Sequence, residues 1–205
     1  MENIHPHQED QKFLPPKMLI SVLNGPWHKR AMLIFLVIIL AHWAEHLLQA
    51  YQVYVLGWPR HHSHGAIGLL APWLDTSEWL HYGYAIVMLV GLVVLRPAFV
   101  GRARVWWSIA LTIQVWHFIE HGLLLGQVMV QRNLFNSSVP VSLLQLVVPR
   151  IELHLFYNAI VFIPMLIAMF YHLYPPAQER PRSVCHCSRL VRQGDIATAD
   201  AVRGE

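Results

Sequence analysis

Charged side chains are scarce in this sequence. Only 13% of its 205 residues are Asp, Glu, Lys or Arg, whereas 55% are hydrophobic. The mean hydropathy of +0.39 is too high for an ordinary water-soluble domain. The composition therefore indicates an integral membrane protein.

Cysteine is almost absent, and so are basic runs of the kind that bind nucleic acid. The two cysteines, Cys185 and Cys187, both follow the last apolar run, so the sequence predicts no disulfide framework. The net charge is +3, but the basic residues lie in tails and loops and are not interleaved with aromatic residues. We therefore attribute the positive charge to membrane orientation and predict no nucleic-acid partner.

Long hydrophobic runs, by contrast, are abundant. Four of them begin near Ala31, Glu78, Arg104 and Ile151, and each continues for about 18–26 residues, enough to cross a hydrocarbon core of ~30 Å as a helix. Helix is the expected conformation because lipid cannot satisfy open strand edges. A shorter apolar stretch, residues 13–24, predicts a helix that lies on the membrane surface.

Lys and Arg are concentrated in the N-terminal tail, in the turn after the second run and in the C-terminal tail. Because cytoplasmic segments are enriched in these residues, we expect both termini to be cytoplasmic. The chain is then a multi-pass membrane protein, and a bacterial inner membrane is its expected location.

The four runs form two similar pairs. When residues 34–55 are compared with residues 109–130, ten of the 22 pairs are identical, and these include His42/His117, Glu45/Glu120, His46/His121 and Gln52/Gln127. The sequence therefore predicts an all-α integral membrane four-helix bundle, built from two tandem-duplicated helical hairpins with a pseudo-twofold axis along the membrane normal. The expected segments are an N-terminal tail (1–30), two membrane repeats (31–100 and 101–174) and a disordered C-terminal tail (175–205).

Histidine and glutamate recur within the predicted spans. A spacing of i, i+3, i+4 places His42, Glu45 and His46 on one helix face, and the second repeat has the same spacing. Counting the helical rise from the span ends puts the histidines of all four spans in one layer, in the outer third of the bilayer. Ten residues of this layer are candidate metal ligands: His42, Glu45, His46, Glu78, His81, His117, Glu120, His121, Glu152 and His154.

The glutamates of this layer have few expected cationic neighbours. Arg150, near the outer surface, is expected to reach Glu152 but hardly the other three. Two divalent ions would balance four carboxylates, and imidazoles would complete their coordination. Four-helix di-iron and di-manganese proteins use a similar set of Glu and His ligands. The pattern predicts a dinuclear centre with two iron ions, or manganese or zinc, in which Glu78 and Glu152 bridge the ions or support their ligands.

A metal centre inside the membrane favours redox chemistry. We expect an oxidoreductase that acts on a lipid-soluble substrate, surrounded by membrane lipid and served by a redox partner. A haem b electron carrier, with imidazoles as axial ligands, and a metal or proton transporter without catalysis are the alternatives. A structural network of buried polar residues and an intramembrane zinc protease remain as further interpretations.

Other polar residues accompany the layer. Tyr84 and Tyr157 lie one turn inward of His81 and His154. Either their hydroxyl groups point toward the site, or their rings pack as ordinary core aromatics. Gln49, Gln52 and Gln127 lie on the other side of the layer and either support the ligands or lie at the membrane interface.

Overall fold

The structure of the chain is a computed structural model, which describes residues 15–75 and 77–180. Within these residues it contains helices and no strands. The helices are α1 (Pro16–Asn24), α2 (His28–Tyr54), α3 (Gly65–Leu70), α4 (Pro72–Asp75), α5 (Glu78–Leu95), α6 (Gly101–Val130) and α7 (Arg150–Leu173). The prediction about Cys185 and Cys187, and most of the predicted disordered tail, lie outside the described residues.

The four predicted spans are confirmed as helices. α2, α5 with the turn that follows it, α6 and α7 are long and apolar enough to cross a membrane. α6 packs extensively against α5 and α7, and α2 completes the ring with smaller contacts to the same two helices. We call the end of the bundle that carries α1 and the α5–α6 turn the tail end, and the end that carries α3 and α4 the histidine end.

An apolar core fills the tail end of the bundle. Leu92, Phe99 and Trp107 have 0% exposure, and the indole N–H of Trp107 donates to the carbonyl of Leu92 at 2.7 Å. Gly91 lets the ring of Phe35 pack directly on the backbone of α5, because a Cβ at that position would overlap the ring. Side chains from all four long helices therefore meet in one buried apolar cluster at this end.

Helix α1 confirms the predicted short helix before the first span. It is anchored by Asn24, whose side chain donates to the carbonyl of Val94 at 2.7 Å and accepts from the N–H of Ala98 at 3.1 Å. Met18 and Leu19 are exposed on its surface. These exposed apolar groups fit a position at the membrane surface, which stays a prediction.

Candidate metal centre

Six imidazoles converge at the histidine end. Rings that follow one another along a helix have centroids 4.4 Å (His42–His46) and 4.5 Å (His117–His121) apart. Between helices, the centroid distance is 5.1 Å for His46–His154, 5.3 Å for His121–His154 and 5.9 Å for His81–His121. All six histidines of the predicted layer thus belong to one group of contacting rings, which we call the imidazole cluster.

The rings from α5 and α7 have a fixed protonation pattern. His81 Nδ1 lies 2.9 Å from the carbonyl of Ser77, and His154 Nδ1 lies 2.7 Å from the carbonyl of Arg150. A carbonyl oxygen can only accept, so Nδ1 is the N–H donor in both rings, and in the neutral form of each ring Nε2 carries the lone pair. This is the arrangement in which a protein presents Nε2 of a neutral imidazole to a metal ion.

His42 and His46 on α2 face each other. Their Nε2 atoms are 3.1 Å apart, and His46 Nδ1 lies 2.8 Å from Oε1 of Gln49. Two ligands of one tetrahedral ion, each bonded at about 2.0–2.1 Å, are separated by roughly 3.3 Å. In this structure the 3.1 Å contact is a hydrogen bond between the two rings, and its length is close to the spacing of two ligands on one ion.

Three ring nitrogens in the cluster are buried and lack a hydrogen-bond partner among the described residues. They are Nε2 of His154 and Nδ1 of His117 and His121. Buried polar atoms are normally paired, because an unpaired one has lost its hydration without compensation. The lone pair of His154 Nε2 in particular fits a bound cation, so the donor set suits a metal ion.

Glu45 and Glu120 bind the backbone of the loops at the histidine end. The carboxylate of Glu45 accepts the N–H groups of Ala66 at 3.1 Å and Ile67 at 2.9 Å, in the first turn of α3. Gly65 adjoins this carboxylate with φ +68°, and a Cβ there would overlap Glu45. Glu120 similarly accepts the N–H of Leu144 at 3.4 Å.

Glu78 and Glu152 are paired with arginines. Arg150 lies 2.6 Å from Glu78, and Arg60 lies 2.7 Å from Glu152, which also accepts the hydroxyl of Tyr54. The expectation that Arg150 would pair with Glu152 and not with Glu78 is therefore wrong. Arg150 is the first residue of α7, and its side chain crosses the bundle to Glu78, the first residue of α5. Glu152 instead pairs with Arg60 from the loop after α2.

The pairing with Glu152 also affects Arg60 itself. A hydrogen bond to the carboxylate raises the pKa of the Arg60 guanidinium above its ordinary value, with a smaller contribution from the Tyr54 hydroxyl. Arg60 is therefore a permanent cation beside Glu152.

Gln52 and Gln127 hold the loops that follow α2 and α6. Gln52 accepts the N–H of Gly65 at 2.9 Å and donates to its carbonyl at 3.4 Å. Gln127 accepts the N–H of Leu134 at 2.9 Å and that of Val141 at 3.3 Å, and donates to the carbonyl of Val141 at 2.9 Å. The sequence left open either support of the ligands or a position at the membrane interface, and it did not predict these loop contacts. Gln49, the third of these glutamines, contacts a predicted ligand, at His46 Nδ1.

Tyr84 and Tyr157 lie against the imidazole cluster. The ring of Tyr84 stacks on His42 at a centroid distance of 3.6 Å, and that of Tyr157 lies 4.4 Å from His117. The Tyr157 hydroxyl accepts the indole N–H of Trp116 at 2.8 Å. The Tyr84 hydroxyl is buried and has no hydrogen-bond partner among the described residues. Both tyrosines thus lie between the imidazole cluster and the apolar core.

A cavity of about 470 Å³ lies at the histidine end between the imidazole cluster and the loops, and several of its lining residues are polar or charged. His46, His81 and His154 form its base. Arg60, His61, Ser63, His64 and Arg150 are among the residues of its walls. Imidazoles of the cluster and charged loop residues therefore border one common cavity.

The ten predicted ligands do not form a complete coordination shell in this structure. Within residues 15–75 and 77–180, no three His, Cys, Asp or Glu side chains are arranged as a ready-made metal-binding group. The six imidazoles are close together, but the four glutamates are engaged by loop N–H groups and by arginines. The prediction that glutamates are metal ligands stays a prediction.

A second pair of buried histidines lies at the tail end and was not predicted. The ring centroids of His28 and His172 are 5.0 Å apart, and Phe99 lies 4.7 Å from His172. Neither histidine has a glutamate or a second histidine at helical spacing. At the positions that the predicted duplication would match to them stand Ala103 and Phe99. The only signal in the sequence was their position near the ends of two apolar runs.

Comparison with known proteins yields no relative: no family model, no curated protein and no solved structure matches the chain.

Proposed function

We propose that this chain is an integral membrane metalloprotein whose imidazole cluster binds a dinuclear metal centre. The observation that carries the proposal is the convergence of six imidazoles from all four spanning helices. The Nε2 lone pairs of His81 and His154 add to this support, since their Nδ1 protons are held by backbone carbonyls. Six imidazoles allow three for each of two ions.

The glutamates divide into two pairs in this proposal. Glu45 and Glu120 border cavities that also touch the imidazoles, so they are the carboxylates able to join the ligands if they leave the loop N–H groups. Glu78 and Glu152 are held by Arg150 and Arg60 and support the site through charge. The centre is therefore richer in nitrogen than the sequence alone suggested.

Iron remains the ion that we propose, with manganese and zinc as the other candidates, because imidazoles and carboxylates together suit all three. When bound, iron would supply one-electron chemistry, which makes an oxidoreductase of a lipid-soluble substrate the proposed activity. The chain contributes the imidazoles that hold the ions, the polar cavity through which ions enter and the surrounding apolar shell.

The duplicated architecture is part of the same proposal. Corresponding residues make corresponding contacts: Glu45 and Glu120 bind loop backbone, Gln52 and Gln127 anchor loops, and His81 and His154 donate to the carbonyl four residues earlier. These matches support two tandem hairpins related by a pseudo-twofold axis. The basic residues at the tail end support its placement in the cytoplasm, and they are Lys17, Lys29, Arg30, Arg96, Arg102 and Arg104.

The two alternatives are less well supported by the packing. The six rings belong to one contacting group, whereas haem ligation needs two imidazoles held apart on opposite faces of the macrocycle. Transport of an ion through the bundle would require a path past Ile39, Met88, Leu92 and Trp107, which are buried in the apolar core of the tail end. A centre that stays at the histidine end agrees best with this arrangement.

Elemental analysis of the purified full-length protein, combined with an optical spectrum, tests the proposal. We expect roughly two transition-metal ions per chain and no Soret band. A Soret band would establish the haem alternative instead, and protein that binds no transition metal after exposure to iron, manganese and zinc would refute the proposal.

Two matched variants localise the ions. His121→Gln removes a ring of the imidazole cluster, whereas His172→Gln removes an equally buried ring at the tail end. We expect loss of metal in the first variant and an unchanged metal content in the second. The reverse result would move the centre to the tail end.

A further inference from the structure

The imidazole cluster has two corresponding sides, and only one of them is open. Beside α2 and α5 lies a cleft of about 310 Å³, whose walls include His42, Glu45, His46, His81 and Tyr84. The corresponding space beside α6 and α7 has only about 10 Å³, and its walls include His117, Glu120, His121, His154 and Tyr157. Five pairs of related residues therefore surround an open space on one side and a closed one on the other.

One difference in sequence accompanies this contrast. Trp116 on α6 corresponds to Ala41 on α2. The indole of Trp116 donates to the hydroxyl of Tyr157 and so bridges α6 and α7. Ala41 has no side chain that could bridge α2 and α5, and it lies in the wall of the open cleft.

The packing of the helices also leaves the side beside α2 and α5 open and closes the side beside α6 and α7. α6 and α7 are in extensive contact, whereas α2 and α5 touch over a much smaller surface. In the second half, Ser142 and Gln145 of the loop before α7 occupy the outer side of the closed space, and Gln127 fixes this loop through the backbone of Val141. The open cleft is thus a specific feature of the first half.

The walls of the open cleft change from apolar to polar with depth. Ala41, Ile67 and Leu80 are exposed, while His46 and Gln49 are buried. In a membrane the exposed residues face acyl chains, and the buried ones present hydrogen-bonding groups. The cleft volume of about 310 Å³ lies at the lower end of the roughly 300–1,000 Å³ that is usual for small-molecule sites. This gradient suits a molecule with an apolar tail and a small polar head.

Two aromatic rings lie in the inner wall of the cleft, those of His42 and Tyr84. They stack on each other at 3.6 Å with an interplanar angle of 9°, so their orientation is fixed. A planar ring can pack against such aromatic side chains, and ring oxygens can accept hydrogen bonds from an imidazole N–H or an amide N–H. We propose that the α2–α5 cleft binds the oxygen-bearing ring of a quinone-type lipid and holds it against the imidazole cluster. The role of this lipid as redox substrate rests on the proposed function, but its binding does not require the metal.

The test uses full-length protein in phospholipid nanodiscs, both metal-loaded and metal-stripped, with decyl-benzoquinone as the ligand. We expect saturable binding in both forms. Ala41→Trp places an indole where Trp116 stands in the other half, and it should weaken binding by about tenfold or more. Ala44→Trp, the same change at an exposed position of α2 outside the cleft, should leave binding unchanged.

A second variant and a second ligand complete the test. Ile67→Trp fills the cleft from α3 and should weaken binding even if Ala41→Trp fails to fold. Decylbenzene, which has the same tail without ring oxygens, should bind much more weakly than decyl-benzoquinone. Equal binding of the two compounds would show that the cleft holds ordinary acyl chains and would overturn the inference, as would unchanged quinone binding in a folded cleft variant or no binding to the wild type.

Metal content measured on the same preparations separates this inference from the proposed function. Protein that holds metal but binds no quinone overturns the inference alone. Protein that binds quinone in the cleft but never holds metal leaves the inference intact and overturns the metal centre.

Discussion

The two ends of the bundle are constructed differently. At the tail end, large apolar side chains such as Phe99 and Trp107 fill most of the interior and enclose one pair of buried histidines, His28 and His172. At the histidine end, buried polar groups surround cavities, and several of their atoms have no hydrogen-bond partner among the described residues. Since helices in lipid associate mainly through close packing, we expect the tail end to contribute most of the stability. The histidine end is therefore free to be polar and partly open.

Removal of the central aromatic residue at the tail end should have the largest effect on stability. Trp107→Ala leaves a large cavity and removes the hydrogen bond to Leu92, so we expect a loss of about 3 kcal/mol or more in the free energy of unfolding. Unfolding in mixed micelles with increasing SDS measures this free energy. Trp79→Ala is the matched control, because Trp79 is 60% exposed on α5. Equal losses in the two variants would contradict the contrast between the ends.

Loss of a loop anchor at the histidine end should have the next largest effect. Gln127→Leu leaves the N–H groups of Leu134 and Val141 without their acceptor, and we expect a cost of about 2 kcal/mol. Gln52→Leu removes bonds to Gly65 alone and should cost less. Limited proteolysis of the loop after α6, together with SDS unfolding, checks which of the two variants loses more stability. A larger loss for Gln52→Leu than for Gln127→Leu would refute the prediction.

The two ion pairs should differ in strength. The Glu78 side chain is 5% exposed and that of Glu152 is 25% exposed. Because water screens exposed pairs, we expect Glu78→Gln to cost about 1–2 kcal/mol and Glu152→Gln less than about 1 kcal/mol. A double-mutant cycle of Glu78→Gln with Arg150→Met isolates the first pair. An interaction energy near zero in that cycle would show that the pair adds nothing.

The smallest effect is expected at the unpredicted histidine of the tail end. His172→Phe introduces the residue found at the corresponding position, Phe99, into an apolar environment, and stability should change by less than about 1 kcal/mol. The metal content should stay the same. His154→Phe is the control at the histidine end and should lose metal. Loss of metal from the first variant instead would mean that His28 and His172 contribute to a site.

The spans and the convergence of the histidines could be predicted from the sequence. Long apolar runs can hardly be anything but helices in lipid, and i, i+4 spacing fixes the relative direction of His42 and His46. Counting the rise along each helix was sufficient to bring His81 and His154 to the same height as the other four. Local geometry thus determined the positions of the imidazoles.

The partners of the glutamates could not be predicted, because they depend on loops. The position of Arg60 follows from the path of the chain after α2, and Arg150 reaches Glu78 across the bundle. The backbone partners of Glu45 exist only because Gly65 turns the chain at positive φ toward α2. Helical periodicity contains no information about such contacts. The assignment of ions to the site stays a prediction for the same reason, since it depends on which partner each carboxylate prefers.

The arginine pairs have a consequence for how the chain is assembled. Arg60 from the first half binds Glu152 of the second, and Arg150 from the second half binds Glu78 of the first. Two reciprocal ion pairs of this kind resemble those found at the interface between two separate subunits. A cut in the turn between α5 and α6 should consequently yield two fragments that recognise each other and reassemble in a membrane without a covalent link.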